Sequence, residues 1–366
     1  MILVEYRDLN IPNMQKCTKE IGSEFWMPEN VSEIHMTRGG KESYSDAFLL
    51  SGRTAIDAII QDILSERLVT NVYMPAWGCD SMIVPFADRG IKVELYDVSL
   101  EEDGLHFFIN ENKACDIFYV NNYFGYHDNV SNEVIERFKK KGAIILYDRT
   151  HSFLMLGDNT EALADYTFTS IRKWMGVVAG AVISKKKGQL IDLLLDECPY
   201  LNGKIEAMKE KAAFIGGDPS INKQDFLNKY GEFGHHLVED YSNYKMDALS
   251  LSIYQQSDLQ QMRETRRANA RVLHEGVNLH FISNLSGNDS PLFVPVFFAS
   301  KEQRDAVRKA LIAESIYCPI HWPKNYLVAD SMKVNDILDR ELSLICDQRY
   351  LERDMQRIVK IINKNI

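Results

Sequence analysis

The sequence predicts an α/β protein. A large domain over residues 1–245 holds a mainly parallel mixed sheet between helices, and a smaller α+β domain follows over 246–366. Three observations carry this reading. Short apolar runs alternate with segments of helical periodicity, the pattern of strands buried on both faces by crossover helices. Small, polar and charged residues gather where those runs end, which is where α/β sheets build their sites. After about residue 240 the alternation gives way to a long helical stretch and a few scattered strand signals.

Taken in order, residues 54–66 have apolar residues at helical spacing. Apolar runs at 71–74, ended by Pro75, at 92–97 and at 116–120 read as strands. Residues 131–141 read as a helix, and 143–147 as a continuous buried strand ending at Asp148. Strands are expected at 165–169 and 176–183. Residues 202–240 are polar and irregular and receive no assignment. A helix over about 246–276, a strand at 292–298, a helix at 301–313, a strand near 315–318 and a terminal helix near 349–363 complete the chain.

Composition bounds the function. A net charge of −10 argues against broad nucleic-acid or anionic-membrane binding. The basic runs Lys139–Lys141 and Lys185–Lys187 read as solvated ends of elements. No apolar stretch is long enough for a membrane span, and the first residues lack a signal-peptide pattern, so a cytoplasmic protein is expected. The six cysteines (17, 79, 115, 198, 318 and 346) form no Cys-x-x-Cys pair, and the histidines show no metal-ligand spacing, so neither a metal site nor a disulfide framework is expected.

The chemistry centres on Lys173, in Ser170-Ile171-Arg172-Lys173-Trp174. An amine at a strand edge, three residues after a hydroxyl, suits a Schiff base with pyridoxal 5′-phosphate, with Ser170 reaching the cofactor's phosphate. A loop lysine is ordinarily a solvated charge, so its companions carry the case. Asp148, at the end of a buried strand, can pair with a protonated pyridine nitrogen; taken alone it reads rather as a turn or cap aspartate. His151 can bond the cofactor's phenolic oxygen or cap a loop. Ser51-Gly52-Arg53-Thr54 opens a helix, where Gly52 and Arg53 can meet a phosphate.

These motifs fall in one order: Ser-Gly-Arg-x-Ala, then Pro-Ala-Trp-x-Cys, Asp-x-x-His and Ser-x-x-Lys. In that order they resemble the DegT/DnrJ/EryC1/StrS family of pyridoxal-phosphate aminotransferases, of fold type I. Tyr241-Ser242-Asn243-Tyr244-Lys245-Met246 resembles the family's Tyr-Asn-Tyr-Arg-Met, and Arg267-Ala268-Asn269 also fits. The resemblance implies a homodimer with shared active sites, in which Asn243 and Lys245 reach the neighbour's phosphate. It also implies glutamate or glutamine as amino donor and a keto-sugar nucleotide as acceptor. Arg53 and Lys245 depart from the family's usual threonine and arginine, and Arg149-Thr150 from its Ala-Ala pair. Trp77 and Cys79 compete for the position that stacks on the cofactor ring, and stacking favours Trp77. Tyr123 is expected near cofactor or substrate. His321 is a candidate for the substrate entrance, with a capping role as the rival. Arg349 is a candidate for a substrate carboxylate, with a helix-surface ion pair as the rival. Two other readings stand beside the aminotransferase: another pyridoxal-phosphate reaction of lyase, elimination or aldol type, and a non-catalytic binding protein on the same scaffold.

Overall fold

The computed structural model describes residues 20–28, 45–127 and 129–366. The N-terminal stretch read for a signal pattern, and Cys17, lie outside the described residues. In chain order the elements are β1 (Ile21–Gly22), β2 (Ser45–Leu49), α1 (Gly52–Glu66), β3 (Asn71–Pro75), α2 (Asp80–Asp88), β4 (Lys92–Glu101), β5 (Gly104–Phe108), β6 (Ile117–Asn121), α3 (Asn132–Lys140), β7 (Ile144–Asp148), α4 (Thr160–Leu163), β8 (Tyr166–Thr169) and β9 (Ala181–Lys185). There follow α5 (Leu201–Ile215), α6 (Lys223–Glu239), α7 (Ala248–Gln256), α8 (Leu259–Gly276), β10 (His280–Phe281), β11 (Val294–Phe297), α9 (Lys301–Ala313), β12 (Ile316–Tyr317), α10 (Val334–Arg340), β13 (Glu341–Leu344) and α11 (Glu352–Asn365).

The large sheet has the order β2-β9-β8-β7-β6-β3-β4-β5. The central pairs β4/β3, β3/β6, β6/β7 and β7/β8 are parallel, while β2, β9 and β5 add antiparallel edges. The strands are apolar because both faces are covered. On one face Ile56, Ile59, Ile60 and Ile63 of α1, with Phe86 of α2, pack on Tyr119, Leu146 and Phe168. On the other, Ile135 and Phe138 of α3 join Phe118, Tyr147, Tyr123 and Trp77. A second sheet, β10-β11-β13, is buried under α8, α9 and α11. The short strand β1 pairs with β12, so residues 21–22 pack with the C-terminal layer although the expected division falls at 245/246. No helix among the described residues is long and apolar enough to cross a membrane.

The structure corrects four readings. Residues 176–180 are a buried loop and only 181–185 pair as β9. Their apolar run answers to burial rather than to a pleat. Val178 packs on Ala207, Met208 and Phe226, and the backbone N–H groups of Val178 and Ala179 donate to Ser250 Oγ. Gly180 turns there at φ +152°, and a Cβ on it would stand 2.4 Å from Met246 Cε. The stretch 246–276 is two helices, the second capped by Asp258 Oδ1, which accepts from Gln261 N–H at 2.9 Å. The unassigned 202–240 forms most of α5 and α6, a helical hairpin that turns at Gly216-Gly217. Lys185 is no solvated end: its side chain is 6% exposed and pairs with Asp62 and Glu66.

Candidate active site

Four parallel strands deliver their carboxyl ends to one edge of the sheet. β6 ends at Asn121, β7 at Asp148 and β8 at Thr169, followed by Ser170 and one turn of 3₁₀ helix over Ile171–Lys173; β3 leads through Pro75 to Cys79. The start of α1 faces the same edge. Together they enclose a cavity of about 300 Å³, whose walls include Ser51, Gly52, Arg53, Cys79, Asn121, Asn122, Asp148, Thr150, His151, Ser170, Arg172, Lys173 and Trp322. The hairpin α5/α6 closes one side with Lys204, Tyr230, Phe233 and Leu237.

Lys173, Asp148 and His151 therefore share one cavity. No hydrogen bond among the described residues ties down the Lys173 amine. Burial holds it below the usual lysine range, and Arg172 adds to this while Cys79 and Asp148 oppose it. Asp148 is buried. Its Oδ1 accepts from Thr150 N–H at 2.8 Å and its Oδ2 from Tyr119 O–H at 2.9 Å. Burial raises its carboxyl above the ordinary range, against the Thr150 bonds, the charge of Lys173 and the Tyr119 bond. His151 Nδ1 accepts from Phe124 N–H at 3.2 Å, so a neutral ring carries its proton on Nε2. Burial, with Lys173 and His321 nearby, pushes His151 well below the usual histidine range, and its ring stacks on Trp322 at 5.3 Å. His151 is thus a fixed donor rather than a proton carrier near neutrality.

The loop holding Lys173 is pinned from behind. Ser170 N–H donates to Thr150 Oγ1 at 3.1 Å, and Trp174 Nε1–H to Thr150 O at 2.6 Å. Gly52 opens α1 against Ser170: a Cβ there would stand 3.3 Å from Ser170 Cβ, so glycine lets the hydroxyl and the helix start converge. Ser51 caps α1, its Oγ accepting from Thr54 N–H at 3.2 Å, and no acidic residue lies in the first turn. The remaining first-turn N–H groups and their dipole favour an anion. Arg53 Nε and Asn121 Oδ1 are buried without partners, an acceptor and a donor short of satisfaction. These features fit a phosphorylated, hydrogen-bonding ring compound. Gly52, Arg53 and Ser170 would hold its phosphate, Asp148 and His151 its ring, and Lys173 its carbonyl carbon.

Other expected residues lie elsewhere. Trp77, expected to stack on the cofactor ring, is fully buried in the aromatic core. It stacks on Tyr123 at 4.4 Å, and its indole N–H donates to His321 O at 2.8 Å; Cys79 is the member of that pair that reaches the cavity. Tyr123 is likewise a core residue, its hydroxyl donating to Trp77 O at 2.7 Å. His321 stands behind the wall, its backbone N–H on Glu341 Oε2 at 2.7 Å and its Nδ1 2.8 Å from Ser343 Oγ; it is its neighbour Trp322 that lines the cavity. Arg349 is committed to Asp347 at 2.8 and 2.9 Å and packs over Phe25 at 4.0 Å, so it is an ion pair, and a buried one. Asn243 and Lys245 are exposed and lie outside this chain's own cavity. Asn243 Oδ1 accepts from Gln61, and Lys245 pairs with Glu197 at 3.2 Å. The sequence reading missed Arg172, although it adjoins Lys173 within the quoted motif, and missed Lys204, Tyr230 and Glu24, which carry no periodic signal.

No family model matches the chain, and no curated protein matches it. Solved structures do. The chain is similar to the aminotransferase TlmJ from Streptoalloteichus hindustanus at 15% identity and TM-score 0.63, covering 89% of this chain and 86% of that one. It is similar to PseC from Helicobacter pylori, an aminotransferase involved in pseudoaminic acid biosynthesis, at 13% identity and TM-score 0.62, over 87% and 86%. It also resembles Spr1654 from Streptococcus pneumoniae, described as a sugar aminotransferase and solved in a PLP form, at 14% identity and TM-score 0.60, over 88% of each chain. At such identities the likeness is one of fold, and the fold is the type I architecture expected from the sequence.

Proposed function

We propose that this chain is a pyridoxal-phosphate-dependent aminotransferase of the DegT/DnrJ/EryC1/StrS kind. It moves an amino group from an amino acid, glutamate or glutamine, to a keto acceptor of the keto-sugar nucleotide class. The observation that carries the reading is the meeting of Lys173, Asp148, His151, Ser170 and the start of α1 around one cavity at the sheet's carboxyl edge. Aminotransferases of the same fold, one described as a sugar aminotransferase and solved in a PLP form and another placed in pseudoaminic acid biosynthesis, support the class of acceptor.

When bound, pyridoxal phosphate supplies a carbonyl that exchanges amino groups and a ring that withdraws electrons from the reacting carbon. The chain supplies the rest. Lys173, its amine biased toward the neutral form by burial, would hold the cofactor and would move the proton at the donor's Cα. Asp148, oriented by Thr150 and Tyr119, would pair with the protonated ring nitrogen. His151 presents Nε2–H as a donor of fixed direction.

The active sites are shared in a homodimer. This is supported by the exposure of Asn243 and Lys245 outside the cavity of their own chain, where a neighbour's phosphate can be met. The five described cysteines are unbonded thiols, which suits the reducing cytoplasm proposed as its setting. Purified protein given pyridoxal phosphate should gain a visible absorption band. Borohydride trapping and peptide mapping should then place the label on Lys173, and a label on any other lysine overturns the assignment.

A further inference from the structure

We infer that Arg172 and Lys204 form an anion subsite that binds the carboxylate of the amino donor, and that Arg172 is its principal ligand. The inference rests on the aminotransferase reading and deepens it by assigning the group that selects a carboxylate-bearing donor.

Arg172 is the residue before Lys173 and lines the cavity. Its Nε is buried with no hydrogen-bond partner, and no ion pair engages its guanidinium among the described residues. Arg172 is half-buried, and its nearby carboxylate, Glu24, is shared with Lys204, so the two cations are completed by a further anion. Lys204, from α5, reaches the same cavity. Its side chain is 8% exposed, lies over the Tyr230 ring at 4.1 Å and pairs with Glu24 Oε2 at 3.2 Å. Glu24 is half-exposed, so the cavity carries two cations at this wall against one carboxylate that solvent already reaches. The wall is short of one negative charge.

Position says which anion fits. Arg172 lies in the 3₁₀ turn that sets Lys173, one residue before it, close enough for its charge to depress the lysine's basicity. The group bound there sits near the carbon at which Lys173 acts. In an α-amino acid the carboxylate is one bond from that carbon, whereas the phosphates of a sugar nucleotide are several bonds from its carbonyl. The cofactor's phosphate has its own cradle at Gly52 and Ser170. A planar guanidinium also matches a carboxylate in bidentate fashion.

The test uses the loaded enzyme and an unreactive dicarboxylate, succinate, titrated by calorimetry, with UDP titrated in parallel and pyridoxal phosphate and pyridoxal titrated into the cofactor-free protein. Arg172→Met is expected to weaken succinate binding about 10- to 100-fold, the weight of a charge-assisted contact, and to leave cofactor and UDP affinity unchanged. Arg172→Lys should recover part of the loss, and Lys204→Met should weaken succinate less than Arg172→Met does. Glu24→Gln should tighten succinate binding, a gain that no structural role for Glu24 would produce. Unchanged succinate affinity in Arg172→Met overturns the inference. So does a loss confined to pyridoxal phosphate but absent with pyridoxal, which would make Arg172 a phosphate ligand, or a loss confined to UDP, which would place the acceptor there. Failure of the aminotransferase reading shows separately, as wild-type protein that gains no visible band and no label on Lys173.

Discussion

Replacing Asp148 by asparagine isolates the charge at the bottom of the cavity. The side chain keeps its shape, and one carboxamide oxygen can still accept from Thr150 N–H, now 2.8 Å from Oδ1. The amide nitrogen then faces Tyr119 O–H, which donates to Oδ2 at 2.9 Å and loses its acceptor. An unsatisfied buried hydroxyl costs about 1–3 kcal/mol. Against this, the variant no longer buries a carboxylate whose protonation burial already favours, so the melting temperature should move little. The effect on chemistry is larger. Loss of one preorganised charge in a dry site costs about 3–4 kcal/mol, or about 100- to 1,000-fold in turnover. The assay is the donor half-reaction with saturating glutamate, followed in the visible range, with occupancy read from the same spectrum. A half-reaction within about threefold of wild type, roughly 0.7 kcal/mol, at full occupancy would refute the pairing. Tyr119→Phe gives an independent sign. Removing a bond that lowers the Asp148 pKa raises it further, so the acid limb of the rate profile should move to higher pH; a shift to lower pH contradicts the geometry.

Four further outcomes are expected. Lys173→Ala should bind pyridoxal phosphate without borohydride-stable labelling and lose turnover by several orders of magnitude, measured at matched cofactor occupancy. Mixing Lys173→Ala with Asn243→Ala should restore part of the activity, since a heterodimer holds one site with both residues; no recovery, with subunit exchange demonstrated, would assign each site to a single chain. Gly125→Ala should destabilise by at least about 2 kcal/mol in denaturant titrations, because Gly125 sits at φ +82° and a Cβ there would lie 2.1 Å from Ser290 O. Glu341, raised by burial from 4.5 to about 8 against its bonds to Ser343 and His321, favours the fold most below about pH 4.5 and loses that contribution as pH rises through about 8. Glu341→Gln should flatten the fall in stability across that window, and an unchanged pH profile of unfolding would show that Glu341 does not titrate there.

The central sheet and the ends of its strands were legible because burial on both faces makes each strand a continuous apolar run, and a parallel sheet can hold its functional groups only where those runs stop. Asp148, Ser170 and Lys173 stand at such stops, and α1 begins on a serine cap that spacing alone reveals. The hairpin α5/α6 was illegible for an opposite reason. Its buried face carries Lys204 and Lys211, with Lys211 Nζ donating to Glu24 O at 2.6 Å. Charges that a helix buries against a distant segment break the apolar stripe by which it would be recognised. The antiparallel edges were missed too: β5 alternates between half-buried and exposed residues along a rim, and β2 is defined by its pairing with β9.

The misplacement of Trp77 and Tyr123 shows a limit of a different kind. Both follow strand ends, where an aromatic reads alike whether it turns into the cavity or into the core behind it. For Trp77 the choice is made by partners from the far end of the chain, and Tyr123 follows Trp77. Trp77 Nε1–H finds His321 O, Tyr123 O–H finds Trp77 O, and Asn325 Nδ2–H bonds Ala76 O and Gly78 O at 3.1 Å each. The contacts to His321 and Asn325 span more than two hundred residues, and they close the aromatic block so that Trp77 and Tyr123 stay out of the cavity wall while Cys79 and Trp322 reach it. The same packing seats His321 over Ser343 and Glu341, behind the wall that Trp322 and His151 form. His321 and Asn325 therefore shape the site by holding its wall rather than by lining it, and Asn325→Ala should alter cavity shape and substrate affinity while leaving the borohydride label on Lys173. A variant that instead lost the label would place residue 325 in the support of the lysine loop itself.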